Sequence, residues 1–247
     1  MPTVLITGTG RGLGLEMARQ YLADGWQVIA CARSPDRCPE LHALAGQANK
    51  PGAQLEIMAL DVTDHAAIDA LAEKMRGQPI DVLLNSAGTM GAGNFAAQGI
   101  SFGKFGKSDF ADWEQTFRIN TFGPMKMAEA FVTHVAQSEQ KKIVSVTSIM
   151  GSIARNTIGG MYAYRASKAA LNAVMHSLAI DLGRKHQIIA IPIHPGWVRT
   201  DMGGPRADID AATSVSGMRS VIAGLDLAKG GRYWMYNGEE QIGRAHV

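Results

Sequence analysis

Short apolar, β-branched runs alternate along the chain with longer segments whose apolar positions recur every three or four residues. The strand candidates are "TVLIT" (3–7), "QVIACA" (27–32), "QLEIMAL" (54–60), "DVLLN" (81–85), "IVSVTS" (143–148), "IIAIPIH" (188–194) and "RYWMY" (232–236). Continuous apolar runs of this length predict strands buried on both faces, as in a parallel sheet. Between them the helix candidates lie near 12–24, 36–48, 64–76, 111–137, 164–183 and 214–226. In one of these, Leu171, Val174, Met175, Leu178 and Leu182 fall on a single helical face. Strand and helix alternating throughout predict a doubly wound α/β fold, a seven-stranded parallel sheet with helices on both faces. No repeat, linker or charge block divides the chain, so one domain over residues 1–241 is expected.

Two stretches follow neither period. Residues 89–108, "TMGAGNFAAQGISFGKFGKS", and residues 201–213, "DMGGPRADIDAAT", read as long loops after the fourth and sixth strands. Both leave from carboxyl ends of strands, where open α/β sheets bind ligands. Phe95, Phe102 and Phe105, with several methionines, suggest a partly apolar pocket. Pro192 deletes a ladder donor within the sixth strand, and a bulge or an unpaired edge is expected there.

"TGTGRGLG" (7–14) joins the first strand to the first helix. A turn this tight needs positive φ and a backbone free of Cβ atoms, so that a pyrophosphate can approach the helix N-terminus. Gly8, Gly12 and Gly14 are assigned to it, with Gly10 an extra permissive position and Leu13 beginning the helix. Dinucleotide sites of this kind usually place an acidic residue at the end of the second strand, on the ribose 2′-OH. This chain has Ala32 there and Arg33 beside it. Arg33, with Arg11 reaching from the glycine turn, suits a 2′-phosphate, so NADPH is expected as cofactor in preference to NADH.

"GGMYAYRASKAAL" (159–171) offers two tyrosines to one lysine. Side chains four apart share a helix face, which pairs Tyr164 with Lys168, whereas Tyr162 would face Ala166. A phenol is a poor acid or base at neutral pH; an ammonium beside it favours the phenolate and brings its pKa toward the working range. Tyr164 is therefore the candidate proton donor or acceptor, tuned by Lys168.

Composition narrows the partners. Lys and Arg number 24 against 22 Asp and Glu, a net charge of +2 without runs of either sign, so neither nucleic acid nor a membrane surface is indicated and a small-molecule partner is expected. Cys31 and Cys38 have no second pair or histidine cluster, so no metal site or disulfide framework is encoded. A strand beginning at Val4 and the absence of an 18-residue apolar run lead to the expectation of a cytoplasmic protein. The final "IGRAHV" (242–247) breaks the pattern of the tail and resembles the translation of a sequencing adapter; it is read as non-native.

Taken in order, TGxxxGxG at 7–14, "NSAG" at 85–88, Asn120 in "FRINTFGP", Ser148 in "IVSVTSIMG", "YRASK" at 164–168 and "HPGWVRT" at 194–200 resemble the short-chain dehydrogenase/reductase family, across nearly the whole chain. Within it, "GLGLEMARQ", "GGMYAYRASKAALN" and "HPGWVRTDMGG" are similar to the C-factor-like carbonyl reductases. The resemblance implies a Rossmann fold, Tyr164 as general acid, Ser148 on the substrate carbonyl, Lys168 on the nicotinamide ribose and Asn120 anchoring a water in a relay to Lys168. It further implies that Asp61 and Val62 meet the adenine, and that Asn85, Ala87 and Gly88 form the turn beneath the cofactor. Pro195, Gly196, Val198 and Thr200 would hold the nicotinamide carboxamide, and a homodimer or homotetramer would form through helices 111–137 and 164–183.

The chain departs from the family pattern in a few places. Ser86 replaces the second Asn of the usual turn, and Ser148 and Tyr164 stand further apart than is common, so "GSIARNTIGG" is expected to bulge toward the substrate entrance. Thr147 is the alternative hydroxyl if the register is shifted by one. The function expected is reduction of an aldehyde or ketone to an alcohol by hydride from NADPH, since two hydroxyl donors aimed at the carbonyl oxygen stabilise the charge that hydride delivery places there. The alternatives are an NAD-dependent secondary-alcohol dehydrogenase and a non-catalytic, cofactor-binding signalling protein resembling C-factor.

Overall fold

The structure, a computed structural model, describes residues 1–48, 50–92 and 103–241. Phe95, Phe102 and the tail 242–247 lie outside the described residues. The strands are β1 Thr3–Thr7, β2 Gln27–Ala32, β3 Gln54–Ala59, β4 Val82–Asn85, β5 Lys142–Val146, β6 Ile189–His194 and β7 Trp234–Met235. They form one seven-stranded sheet in the order β3-β2-β1-β4-β5-β6-β7, parallel at every pairing. Every residue of β1, β4 and β6 is buried, as their unbroken apolar runs require. The two edge strands differ: β3 exposes Gln54, Glu56 and Ala59, and β7 is half-buried.

The helices are α1 Gly12–Ala23, α2 Pro39–Ala43, α3 His65–Lys74, α4 Phe110–Phe117, α5 Gly123–Ala136, α6 Tyr162–His186 and α7 Ala211–Ala223. Alternate strand residues feed two cores. Val4, Ile6, Ile191 and Ile193 meet α1 and α7 through Met17, Leu22 and Met218. Leu5, Ile29 and Leu83 meet α5 and α6 through Met127, Phe131, Leu171 and Met175. Each such fully buried side chain contributes about 1.5–3 kcal/mol, an upper estimate because the unfolded chain is itself partly compact.

Two helices differ from expectation for identifiable reasons, and of the bulge or unpaired edge expected at Pro192 the structure has the unpaired edge. The helix predicted over 36–48 is α2 flanked by 3-10 turns at Pro35–Arg37 and Leu44–Gln47; Pro39 has no N–H with which to continue a helix begun before it. The helix predicted over 111–137 is broken into α4 and α5 by a π-helical turn at Arg118–Phe122. Pro124 removes the N–H that would have bonded the Asn120 carbonyl. No bulge forms at Pro192, which pairs in register with Ser145. Ile189 N and Ile193 O bond toward β5, whereas Ala190 O and His194 O accept from Gly231 N and Tyr236 N on the β7 side. The missing donor of Pro192 therefore faces the β7 side, below the point where pairing begins at Ile193 with Trp234.

The order reverses between β1 and β4, and the loops after both strands open at that point, where doubly wound sheets bind ligands. Among the described residues no helix is long and apolar enough to cross a membrane.

Close packing of α7 on the last strand sets a stability test. A Cβ on Gly217 would lie 2.5 Å from the Tyr236 carbonyl oxygen, whereas one on Gly46 would meet nothing within 4 Å. Gly217→Ala should lower the unfolding free energy by about 1–3 kcal/mol despite the gain in helix propensity, and Gly46→Ala should be neutral or slightly stabilising. Urea denaturation midpoints check this; equal midpoints for the two variants would contradict the packing described.

Candidate active site

The glycine turn is built by close approach. Gly8 has φ +75°, and a Cβ there would sit 2.7 Å from Ala87 Cα; one on Gly14 would sit 2.2 Å from Gly8 O. Only glycine allows α1 to start this near β1 and the β4 turn. Arg11 occupies the N-cap of α1 without a side-chain bond to the helix, and no acidic residue stands in the first turn, so the first N–H groups are free for an anion. Leu13 packs on the core beneath them.

The turn after β4 is held by a residue the sequence reading passed over. Thr7 Oγ1 accepts from Ser86 N at 3.1 Å and Ala87 N at 3.2 Å, joining β1 to the "NSAG" segment. A strand-end threonine next to a glycine turn was the available signal. Asn85 donates to Ser145 Oγ at 3.2 Å, and its Oδ1 is buried without a partner. Gly88 lies where a Cβ would be 3.5 Å from Asn120 Oδ1 and 3.6 Å from Lys168 Nζ, so the turn runs directly into the catalytic candidates. Beyond β3, Asp61 Oδ1 accepts from Thr63 N and Oγ1, and Val62 is buried against Gly123 at the start of α5. Ala32 is buried and Arg33 exposed at the end of β2.

Tyr164, not Tyr162, is the buried tyrosine: it is 7% exposed against 38% for Tyr162. It stands in the first turn of α6, after Met161, whose left-handed backbone (φ +50°) is fixed by its N–H donating to Gly103 O at 3.0 Å. Lys168 Nζ lies 6.0 Å from the centre of the Tyr164 ring and donates to Val146 O at 2.9 Å. Burial pushes the Lys168 ammonium down to about 8. Burial also raises the Tyr164 phenol, while the Ser148 hydroxyl, within hydrogen-bonding reach, acts in the opposite sense. The lowering expected from Lys168 is therefore not what dominates: desolvation keeps Tyr164 in the neutral form, the one that can donate a proton.

Ser148 Oγ caps the turn Ile149–Gly151 by accepting from Met150 N at 3.2 Å. Thr147, the alternative, is committed elsewhere, donating to Asn172 Oδ1 at 2.7 Å. Asn120 sits in the π-helical turn, fully buried, with Oδ1 accepting from Thr89 N and Nδ2 donating to Thr89 O and Ser167 Oγ. Its side-chain amide thus clamps the start of the loop after β4. Pro195, Gly196, Val198 and Thr200 follow β6: Ser214 Oγ donates to Pro195 O at 2.6 Å, Val198 bridges Ile209, and the Thr200 methyl lies 3.6 Å from a Cβ position on Gly12. Arg11, expected at a 2′-phosphate, pairs with Asp201 at 3.0 Å across this gap, both side chains largely exposed. The segment 152–160 forms turns and bends between Ser148 and α6 and exposes Ile153 and Ile158.

A dinucleotide fits what the residues offer. The uncapped α1 terminus and the Cβ-free cradle at Gly8 and Gly14 suit a pyrophosphate, and the end of β2 presents a cation with no carboxylate.

Residues 2–210 match the short chain dehydrogenase family. The chain is 43% identical over 171 residues to C-signal of Myxococcus xanthus, covering 69% of this chain and 97% of that protein. Among solved structures, carbonyl reductase Sniffer of D. melanogaster superposes with TM-score 0.85 at 31% identity. An NADPH-bound carbonyl reductase from chicken fatty liver also gives TM-score 0.85, at 30% identity. Each structural comparison covers 97% of this chain and 98% of the other.

The depressed Lys168 pKa has a stability consequence with a fixed sign. Between about 8 and the ordinary lysine value of about 10.4 the unfolded chain holds a proton the native chain has lost, so Lys168 makes stability rise with pH across that window; below it, the cost of burying the charge is present in full. The melting temperature of the ligand-free protein minus that of Lys168→Met should be more positive at pH 10 than at pH 7.5, by about 2–4 °C for each kcal/mol in a chain of this size. A difference independent of pH would contradict it.

Proposed function

The chain belongs to the short-chain dehydrogenase family, and from that premise we propose that it reduces an aldehyde or ketone to the alcohol with NADPH, Tyr164 acting as general acid. The observation that carries this reading is a buried, neutral Tyr164 phenol within reach of Ser148 and beside the Lys168 ammonium. NADPH supplies the hydride that reaches the carbonyl carbon. Ser148 and Tyr164 then donate to the carbonyl oxygen as charge develops on it, favouring the transition state over the ground state, and Tyr164 delivers its proton, a contribution of about 10²–10⁴ in rate. Lys168, anchored on Val146 O, stabilises the resulting phenolate. Asn120 is a positioning residue: its amide is occupied, and the carbonyl that Pro124 cannot bond is the group available to a relay water.

Arg33, with no acid beside it, favours a 2′-phosphate and hence NADPH; Arg11 joins it only by leaving Asp201. Pro195, Gly196, Val198 and Thr200 would orient the nicotinamide, and exposed Phe105, Trp197 and Met202 support an apolar rim for the substrate. On this reading residues 1–241 act as one dinucleotide-binding domain in the cytoplasm. A homodimer or homotetramer is favoured by half-exposed Phe122, which shares a groove with Val174 of α6. The similarity to C-signal keeps a cofactor-binding signalling role as a second reading, but a binder has no physical need of Tyr164 paired with Lys168. Oxidation of a secondary alcohol with NAD is disfavoured by Arg33.

Tyr164→Phe should lower carbonyl turnover by about 10²–10⁴ while retaining NADPH affinity; turnover that survives would overturn Tyr164 as the general acid, and a wild type that binds NADPH and reduces nothing would favour the signalling reading. NADPH should bind at least about tenfold more tightly than NADH, a difference of about 1.4 kcal/mol, and Arg33→Ala should erase the gap. Equal affinities in the wild type would overturn the cofactor assignment.

A further inference from the structure

Buried polar side-chain atoms are nearly always hydrogen-bonded, and one left without a partner calls for an explanation. Among the described residues, two such atoms belong to side chains at the junction of β6 with β7: His194 Nδ1 and Tyr233 Oη. They are not bonded to each other, since each lacks any partner. His194 closes β6 opposite Met235, and Tyr233 lies two residues before Met235, immediately ahead of β7. Ile191, Ile193 and Trp234 face the α1–α7 core, so His194 and Tyr233 project from the other face, the one that α6 covers with Leu171 and Met175. They therefore lie at the carboxyl edge of the sheet, on the side where α6 begins with Tyr164. The Tyr164 side chain acts on Tyr233, and the Arg155 guanidinium, from the exposed segment 152–160, acts on both Tyr233 and His194. His194 itself is 7% exposed.

The three groups match one kind of ligand. Tyr233 offers an O–H, Arg155 a cation, and His194 an imidazole nitrogen that donates in its Nδ1–H tautomer. Burial and the nearby guanidinium push His194 down to about 4, so the ring stays neutral and adds no second charge. On the proposed reading the reacting carbonyl is provided for by Ser148 and Tyr164, which leaves this cluster free for a different oxygen. We propose that His194, Tyr233 and Arg155 form a carboxylate subsite, and that the substrates of this protein are oxo acids whose carboxylate is remote from the carbonyl that is reduced. This rests on the carbonyl-reductase reading. A site built to bond a buried polar group discriminates strongly against an analogue that lacks it, because its own donors are then left unpaired.

The test compares 4-oxopentanoate, 5-oxohexanoate and 6-oxoheptanoate with their methyl esters, which keep the ketone and remove the charge. With NADPH as donor, at least one acid should exceed its ester at least about tenfold in kcat/KM, and Tyr233→Phe and Arg155→Ala should each cut that ratio at least about fivefold, as expected for lost hydrogen bonds to a charged group. A wild-type ratio near one for every pair, the result if the two atoms serve only a buried water, overturns the subsite while leaving carbonyl reduction intact. So does a ratio that neither variant changes. If no ketone or ester is reduced, the reductase reading fails, and calorimetric titration of the NADP⁺-loaded protein with the same acids decides the subsite separately. Binding that weakens in Tyr233→Phe supports it, and binding that is absent or unaltered overturns it.

Discussion

Everything about the site depends on how closely the backbone of β1 and its turn approaches that of β4. The space a side chain at Gly8 would need is filled by Ala87, and the space at Gly14 by the Gly8 carbonyl. Thr7 ties the two loops together by accepting from both Ser86 and Ala87. This contact occurs where the strand order reverses, so the fold's one topological break is also where α1 presents its free N–H groups. Asn120 extends the same arrangement outward by holding Thr89 at both N and O. The catalytic candidates are thus positioned by main-chain packing, and their side chains are added to a frame that is already closed.

Burial sets the chemistry on that frame. Lys168 and Tyr164 are both taken out of water, and desolvation works on them in opposite directions, lowering the ammonium and raising the phenol. The proposed reduction uses both, the neutral phenol to give a proton to a developing alkoxide and the cation, held on the Val146 carbonyl, to stabilise the phenolate left behind. His194 Nδ1 and Tyr233 Oη are buried without partners, a cost of about 1–3 kcal/mol for each unmet group.

Much of this was legible in the sequence because the signals were periodic or local. The apolar runs at 3–7 and 27–32 mark β1 and β2 to the residue, and the four-residue step from Tyr164 to Lys168 singled out the tyrosine that the structure buries. What the sequence did not show depended on direction and on partners distant in the chain. Pro192 looked disruptive until the side its nitrogen faces was known. Apolar periodicity ran unbroken through 111–137, while Pro124 opened the π-helical turn that aims Asn120. The roles of Thr7 and Thr147, and the ion pair of Arg11 with Asp201, come from contacts between residues far apart in the chain, which no local pattern encodes.

The proposed reaction moves hydride from NADPH to a carbonyl carbon. The most direct measurement is mass spectrometry of the product formed from a ketone and NADPH deuterated at the transferring C4 position. One deuterium on the carbinol carbon per NADPH consumed is expected. Binding of the labelled cofactor with no deuterated alcohol formed, across aldehydes, ketones and oxo acids, would contradict it.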